Sequence, residues 1–338
     1  MTEIVNNPHS RSMVEYGKKH KEALVLSGDL TGSTEISEFK KNLPEQFVSM
    51  GMAEQNMLSW AGGLARQGHV PFVHTFAVFL YRRPYDQLSM SIAYPNLKVR
   101  LVGFLPGIMT PGGVTHQAIE DISVLRAMPN MTILETGDAT EVETILDATT
   151  DIDGPVYIRM LRGALPRLFA KEDVFTVNKA RTISTGEDLT ILSSGICTEE
   201  TMKAVKALKS RGVNLTHLHI STLKPFTDPT VLEVLKNSKN GVMTVENHAT
   251  IGGLGTAVAD MIAEHGLSVK LTKVGIENTY AHGASKEYLM RKFGIDALGV
   301  AKKVQELLNK DFELSEEELS SQDLSVDANI KSTQLEAL

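Results

Sequence analysis

The chain has 338 residues, of which 42% are hydrophobic and 22% charged, so it can form two folded domains and does not have the composition of a disordered protein. Its single cysteine, Cys197, excludes an intrachain disulfide and a cysteine-based zinc site. The net charge of −7 lies in residues 311–338, which carry eight acidic residues and one lysine. The remaining chain is neutral overall, and this argues against nucleic acid as the main partner.

The sequence contains no recognisable membrane or export signal. No apolar run approaches the ~18 residues that a membrane-spanning helix needs. The first residues, MTEIVNNPHSRSM, lack the apolar core of a signal peptide. We therefore expect a cytoplasmic protein.

In the first half of the chain, short apolar runs alternate with helical patterns. Strands are predicted at 23–26, 69–76, 97–103, 131–135 and 155–160, and helices at 53–66, 84–93, 117–127 and 139–149. This alternation indicates βαβ units and a mostly parallel sheet. Because ligands bind beyond the carboxyl ends of such strands, the candidate loops are 27–34, 49–56, 74–83, 104–117 and 161–165.

The second half repeats the pattern. Strands are predicted at 189–193, 214–220, 241–245 and 268–274, and helices at 198–210, 228–237, 253–265 and 285–293. The prediction is therefore two consecutive α/β domains with mostly parallel sheets, residues 1–165 and 188–310, joined by a linker at 166–187. The acidic tail 311–338 is expected to be a mobile or partner-docking arm.

Two candidate loops combine a carboxylate, aromatic rings and cations. In FVSMGMAEQNM, Glu54 begins a predicted helix, where an acid also has an ordinary role in complementing the helix dipole. In HTFAVFLYRRPYDQL, Phe76 and Phe79 lie three residues apart, with Arg82 and Arg83 close behind. These aromatics fit either an ordinary core or a wall for a flat heterocycle or an anion.

Two further loops contain groups suited to substrate binding. PGIMTPGGVTHQAIED ends in Thr115 and His116 just before a predicted helix, so His116 is either structural or part of a site. In RMLRGALPRL, Arg162 precedes a turn and is suited to a phosphate or carboxylate.

The order of these motifs closely resembles the transketolase family. SGDLTGS, GMAEQNM, HTFAVF with RPYDQ, GGVTHQAIEDISVLRAMPNM and RGALP follow the family's pyrimidine-binding domain, and TVENHATIGGLGTAVAD resembles its C-terminal domain. The Gly-Asp-Gly…Asn motif of the diphosphate-binding domain is missing. The resemblance therefore implies the C-terminal subunit of a split transketolase. This subunit would be active only with an N-terminal subunit that holds the diphosphate and Mg²⁺ of thiamin diphosphate, in an α₂β₂ assembly.

The resemblance also implies roles for individual residues. Glu54 would face N1′ of the aminopyrimidine as a catalytic acid, and His116 would contact substrate oxygens and assist proton movement. The cofactor-binding set would be Glu54, Phe76, Phe79, Met52, Leu30, Asp29 and Arg83, and the substrate-binding set would be Arg11, Ser33, His116, Arg162 and Gly112. Asp29 is equally well explained as a cap of the SGDLTGS turn.

Two positions depart from the family pattern. The family loop reads Gly-Glu-Asp-Gly-Pro-Thr-His, but here Gly112 takes the place of the Asp that reads donor stereochemistry. A second family histidine falls on Phe104. Because hydroxyl contacts carry large discrimination, the donor is expected to be an unusual ketose phosphate, such as the branched apulose 4-phosphate.

Other functions stay open at this stage. They are a 2-oxo acid dehydrogenase β subunit, a deoxyxylulose phosphate synthase, and a non-catalytic scaffolding paralogue, which Gly112 and Phe104 keep in view. IGGLG at 251–255 also suggests a nucleotide site, although its spacing is not G-x-G-x-x-G.

Overall fold

The computed structural model describes residues 2–324. Its strands are β1 (Ile4–Asn6), β2 (Ala23–Ser27), β3 (Phe47–Ser49), β4 (Val70–Phe76), β5 (Arg100–Phe104), β6 (Thr132–Glu135), β7 (Val156–Met160), β8 (Ala164–Pro166), β9 (Arg181–Ser184), β10 (Leu189–Ser193), β11 (Leu215–His219), β12 (Thr222–Lys224), β13 (Val242–Ala249) and β14 (Leu271–Ile276).

Its helices are α1 (Pro8–Lys19), α2 (Ser37–Asn42), α3 (Glu54–Arg66), α4 (Ala77–Tyr81), α5 (Tyr85–Gln87), α6 (Asp121–Arg126), α7 (Ala139–Ala148), α8 (Cys197–Lys209), α9 (Pro229–Asn237), α10 (Leu254–Glu264), α11 (Lys286–Lys292), α12 (Ala297–Leu308) and α13 (Glu316–Ser320). A 3₁₀ turn covers Pro44–Gln46 and a π-helical segment covers Leu88–Ala93.

The larger sheet has the strand order β12-β6-β7-β5-β4-β2-β3 and is parallel except for β12. Every residue of β5 and β7 is buried, because helices cover both faces of the sheet. This explains why these strands are nearly continuous apolar runs in the sequence. The carboxyl ends of β2, β3, β4 and β5 lie side by side, and the loops that follow them carry the predicted site.

The smaller sheet has the order β14-β13-β10-β11-β9 and is parallel except for β9. One face of this sheet packs with α8, α11 and α12 around Ile191, Val245 and Val300. Leu192 and Leu218 belong to the core that also contains the residues of the first unit. The predicted architecture of two α/β units with mostly parallel sheets is thus confirmed.

Short antiparallel strands were not predicted. The segment 166–187, expected to be a linker, contains β9, which pairs with β11. β12 belongs by sequence to the second half but pairs with β6 at the edge of the first sheet. Such three- or four-residue edge strands are too short to show a hydrophobic period, so only tertiary pairing reveals them.

Part of the acidic tail packs against its own domain. Leu319 of α13 is buried against Ala207 and Ala297, and Glu318 forms an ion pair with Arg211. The expected mobile or docking arm therefore does not describe residues 311–324, and residues 325–338 lie outside the described part of the chain. No helix within residues 2–324 is long and apolar enough to cross a membrane.

Candidate active site

Glu54 is the first residue of α3, directly after the turn that follows β3. Its side chain is only 2% exposed, and its Oε2 accepts a hydrogen bond of 3.1 Å from Nη1 of Arg83. Arg83 is half-exposed, and its guanidinium carbon lies 4.2 Å from the centroid of the Phe79 ring. The structure thus brings together a buried carboxylate, a cation and an aromatic face.

The two predicted aromatic residues form a wall beside this carboxylate. The rings of Phe76 and Phe79 are stacked, with centroids 6.0 Å apart and planes 26° apart. The His116 imidazole meets both rings edge-on, at 6.3 Å from Phe76 and 5.5 Å from Phe79. Its Nδ1 is 2.9 Å from the Thr115 hydroxyl, which helps to fix the ring orientation. His116 therefore joins the same cluster as Glu54.

Arg82, predicted as a cation beside the aromatic pair but given no binding role, anchors the chain around His116. Its guanidinium pairs with both carboxylate oxygens of Glu120, at 2.7 and 2.8 Å. It also donates to the carbonyl oxygens of Val114 and Gln117. The two consecutive arginines thus have different tasks, because Arg82 holds the loop and Arg83 contacts the carboxylate.

His116 crowds Gly112, the position where the resemblance leads us to expect an Asp. A Cβ built on Gly112 would lie 2.9 Å from Cγ of His116, closer than real Cβ contacts. The Gly112 amide donates instead to the Thr110 hydroxyl at 3.1 Å. His116 occupies the volume that a longer residue at position 112 would need.

Phe104, where the resemblance leads us to expect a histidine, contacts a buried pair of histidines. Nε2 of His9 lies 3.0 Å from Nε2 of His74, and both rings contact Phe104, edge-on and stacked respectively. Burial lowers the pKa of His9 and lowers that of His74 to about 4, so the pair is neutral near pH 7. This pair was not predicted, although the strand residue His74 begins the HTFAVF motif.

The loops after β2 and β7 are joined by two hydrogen bonds, each between a side chain and a backbone group. Nη1 of Arg162 donates to the Ser33 carbonyl oxygen at 2.7 Å, and the Gly163 amide donates to the Glu35 carboxylate at 2.6 Å. The structure therefore brings together Arg162 and Ser33, two members of the predicted substrate-binding set.

Asp29 and Leu30 precede Ser33 in the same loop. Asp29 is exposed in a left-handed conformation with φ of 65°. Within residues 2–324 its carboxylate has no hydrogen-bond partner, so it does not cap the turn. Leu30 is partly buried.

Two further predicted site residues, Arg11 and Met52, are largely exposed. Arg11, two-thirds exposed on α1, pairs with Glu143 of α7 at 3.0 Å. Glu143 also pairs with Arg167. Arg11 therefore takes part in an ion-pair network on the α1–α7 surface. Met52, two residues before Glu54, is 78% exposed.

The glycine-rich IGGLG segment is filled by a side chain of the protein. The amides of Leu254 and Gly255, at the start of α10, donate to the Glu246 carboxylate at 2.7 and 2.9 Å. Burial raises the pKa of Glu246 to about 7. A Cβ on Gly253 would overlap Glu246, so this glycine serves close packing. The helix N-terminus that a nucleotide phosphate would use is therefore occupied.

No group of three metal-ligating side chains capable of holding an ion is present within residues 2–324.

Family models and relatives match nearly the whole chain. The model of the transketolase pyrimidine binding domain matches residues 9–167, and that of the transketolase C-terminal domain matches residues 178–300. A putative transketolase C-terminal section from Methanocaldococcus jannaschii is 35% identical over 306 residues, covering 90% of this chain and 96% of the relative.

Two further relatives and one solved structure are also named as transketolases. A 6-deoxy-6-sulfo-D-fructose transketolase subunit from Clostridium sp. (strain MSTE9) is 35% identical, covering 88% of this chain and 92% of the relative. One of the subunits of an apulose-4-phosphate transketolase from Phocaeicola vulgatus is 31% identical, covering 88% and 96%. A split gene transketolase, solved as an inactive beta4 tetramer, matches with a TM-score of 0.80 at 35% identity, covering 89% of this chain and 97% of that chain. The chain therefore belongs to the transketolase family, as a subunit that carries the pyrimidine binding and C-terminal domains.

Proposed function

We propose that this chain is the pyrimidine-binding subunit of a thiamin-diphosphate-dependent transketolase that moves a two-carbon ketol unit from a ketose phosphate to an acceptor carbonyl. One observation carries the proposal: the buried Glu54 carboxylate, the stacked Phe76 and Phe79 rings and the His116 imidazole converge at the carboxyl edge of one parallel sheet.

The residues present fit an aminopyrimidine. A flat heterocycle needs an aromatic face to stack on and a polar group at its edge, and Phe76, Phe79 and Glu54 supply them. Leu30 and Met52 would support the apolar side of the ring, and Asp29 and Arg83 would lie close to it. When bound, thiamin diphosphate supplies the electron sink that makes the carbon–carbon bond of the ketose breakable.

The chain's own residues orient the cofactor and move protons. Glu54, shielded from water, would share a proton with ring nitrogen N1′. His116 would contact the substrate oxygens near C2 and relay a proton there. Arg162 and Ser33 would grip the sugar phosphate. Arg11 would have to leave its ion pair with Glu143 to join them, so its contribution is the smaller one.

A second subunit is part of the proposal. The family models match the pyrimidine binding domain and the C-terminal domain of transketolase. The diphosphate and Mg²⁺ would therefore be held mainly by an N-terminal subunit, in an α₂β₂ assembly. The relatives named as a C-terminal section and as subunits support this arrangement. Met52 before α3, Trp60 on α3 and Tyr94 after the π-helical segment that packs against α3 expose 78%, 53% and 80% of their surface, as suits a partner-facing surface.

The donor is proposed to be a non-standard ketose phosphate, such as apulose 4-phosphate. Gly112 and Phe104 remove a carboxylate and an imidazole that would hydrogen-bond a common donor. Two relatives named for apulose-4-phosphate and for 6-deoxy-6-sulfo-D-fructose support a non-standard substrate.

Reconstitution tests the proposal. The chain is co-expressed with a transketolase N-terminal subunit and assayed with Mg²⁺ and thiamin diphosphate, using xylulose 5-phosphate, 6-deoxy-6-sulfofructose and apulose 4-phosphate as donors. We expect ketol transfer by the complex, none by the chain alone, and a higher kcat/KM for a non-standard donor. Stoichiometric binding of Mg²⁺–thiamin diphosphate to the isolated chain would contradict the two-chain site. A strong preference for xylulose 5-phosphate would contradict the donor assignment.

A further inference from the structure

The segment 107–118, called here the His116 loop, is closed at its base. The Gly107 amide donates to the Ala118 carbonyl oxygen at 2.9 Å, so the two ends of the loop are held together. His116 lies near one end of this closed segment. Its position against the aromatic pair therefore depends on how the base is fixed.

Asn247 of β13, in the second α/β unit, grips this base from outside. Its Oδ1 accepts from the Ile108 amide at 3.0 Å, and its Nδ2 donates to the Pro106 carbonyl oxygen at 3.1 Å. Asn247 is 1% exposed, so both bonds are shielded from water. Gly107 lies between the two bonded residues and has a φ of 61°. A Cβ on Gly107 would overlap the side-chain amide of Asn247. The glycine thus allows the side chain to bridge the turn.

The other end of the base is tied to the same strand. Nη2 of Arg159 donates to the carbonyl oxygens of Ala118, at 3.3 Å, and of Asn247, at 3.0 Å. Arg159 is completely buried and paired with Asp121 at 2.9 Å and with Glu135. The buried Arg159 guanidinium therefore links Ala118, at the end of the loop, to the backbone of Asn247, whose side chain binds the start of the loop.

The second unit also covers the tip of the loop. A Cβ on Gly283 would lie 2.8 Å from the Pro111 carbonyl oxygen, and Gly113 faces the same glycine. The side-chain Nε2 of Gln117 donates to the His282 carbonyl oxygen at 3.4 Å. The loop is thus enclosed between Arg82 on the first unit and the 282–283 segment on the second.

We propose that Asn247 is a positioning residue for the His116 loop, so that the second α/β unit sets the location of His116. It acts through the backbone of Pro106 and Ile108 and does not contact the substrate. The expected effect on catalysis rests on the proposed function, whereas the effect on loop order concerns this chain alone.

The first test is hydrogen–deuterium exchange in the isolated full chain. Asn247→Leu removes both bonds with little change in size, and Asn247→Asp keeps the acceptor and loses the donor. The control, Thr190→Val, removes a partly buried hydrogen bond to Ser238 elsewhere in the second unit. We expect exchange within 107–118 to rise about tenfold in Asn247→Leu, less in Asn247→Asp, and not in Thr190→Val. Exchange in β10 and β13 should stay native.

The second test is kinetic and uses the assembled complex. Asn247→Leu is expected to lower kcat about ten- to a hundredfold with little change in the apparent affinity for cofactor, and Asn247→Asp should recover part of the loss. The proposal is overturned if the His116 loop of Asn247→Leu exchanges hydrogen at the wild-type rate. It is also overturned if the exchange rate rises uniformly throughout the chain in both Asn247→Leu and Asn247→Asp. If the wild-type complex shows no ketol transfer, the proposed function fails, while the exchange result still decides the role of Asn247.

Discussion

Arg83 makes two contacts at once: it donates to Glu54 at 3.1 Å, and its guanidinium lies over the Phe79 ring at 4.2 Å from the centroid. A flat, nitrogen-rich group therefore already stacks on the aromatic wall and hydrogen-bonds the buried carboxylate. These are the interactions that the proposed site would offer to an aminopyrimidine. Because Arg83 is half-exposed, it can move toward solvent when another ring takes this place.

Glu54→Gln should separate catalysis from stability. The amide keeps the size of the side chain but cannot share a proton as the acid does, so kcat of the assembled enzyme is expected to fall about 10²- to 10⁴-fold. The lost ion pair with half-exposed Arg83 should change the free energy of unfolding by less than about 1 kcal/mol.

The matched control for Glu54→Gln is Glu199→Gln, which removes a carboxylate that pairs with Lys203 on α8 of the second unit. Its kcat should stay close to wild type. Wild-type turnover by Glu54→Gln would remove Glu54 from the catalytic machinery.

Gly112→Asp should not restore the common family specificity. The new Cβ would meet the His116 ring at 2.9 Å, so the histidine or the loop must move. We expect kcat/KM for the preferred donor to fall about tenfold or more, with no gain for xylulose 5-phosphate.

Gly112→Ala, assayed beside Gly112→Asp, isolates the steric part of the effect. An Asp variant that gains activity with xylulose 5-phosphate at undiminished kcat would show that the loop does have room for the carboxylate.

His217 should make the protein less stable in mild acid. Its Nε2 bonds Ser193 at 2.7 Å, and burial lowers its pKa to about 3, from 6.5 in the unfolded chain. Between these values the unfolded state binds the proton and the folded state does not. Stability is therefore full above about pH 6.5 and falls by about 1.4 kcal/mol per pH unit below it.

The contribution of His217 is measured by denaturant titration of wild type and His217→Gln at about pH 7 and about pH 5. The loss of unfolding free energy between these pH values should be about 2 kcal/mol smaller in the variant. Equal losses would assign the acid sensitivity to other buried groups, such as His9 and His74.

Gly253→Ala should destabilise the second unit through a steric conflict. The added methyl would overlap Glu246 and crowd His248, at an expected cost of about 1–3 kcal/mol. Thermal unfolding checks this against Gly63→Ala, an exposed helical glycine with open space around it, which should gain up to about 1 kcal/mol. An unchanged Tm for Gly253→Ala would mean that the Glu246 carboxylate does not sit tightly at the start of α10.

The sequence predicts the loops of the candidate site better than the contacts among their residues. Glu54, Phe76, Phe79 and His116 meet because buried apolar runs become parallel strands whose carboxyl ends are adjacent. The pairing of Arg11 with Glu143 could not be foreseen, because it depends on how α1 packs against α7.

Residues whose contact partners lie far away in the sequence show no local sequence pattern that predicts their roles. Asn247 and His9 are ordinary polar residues by pattern, and they gain their roles when Pro106, Ile108 and His74 are brought beside them. The π-helical segment Leu88–Ala93 was expected within an ordinary helix, since both helix types place apolar residues at similar spacing.

The pairing of β12 with β6 has a consequence for cutting the chain into parts. A fragment ending near residue 167 would keep β6 but lose the antiparallel strand that covers its outer edge. The freed backbone amides and carbonyls would form an open edge, which in a soluble fragment favours strand pairing between copies. The two halves are thus separate in sequence but share a sheet, and the first half depends on the second to close it.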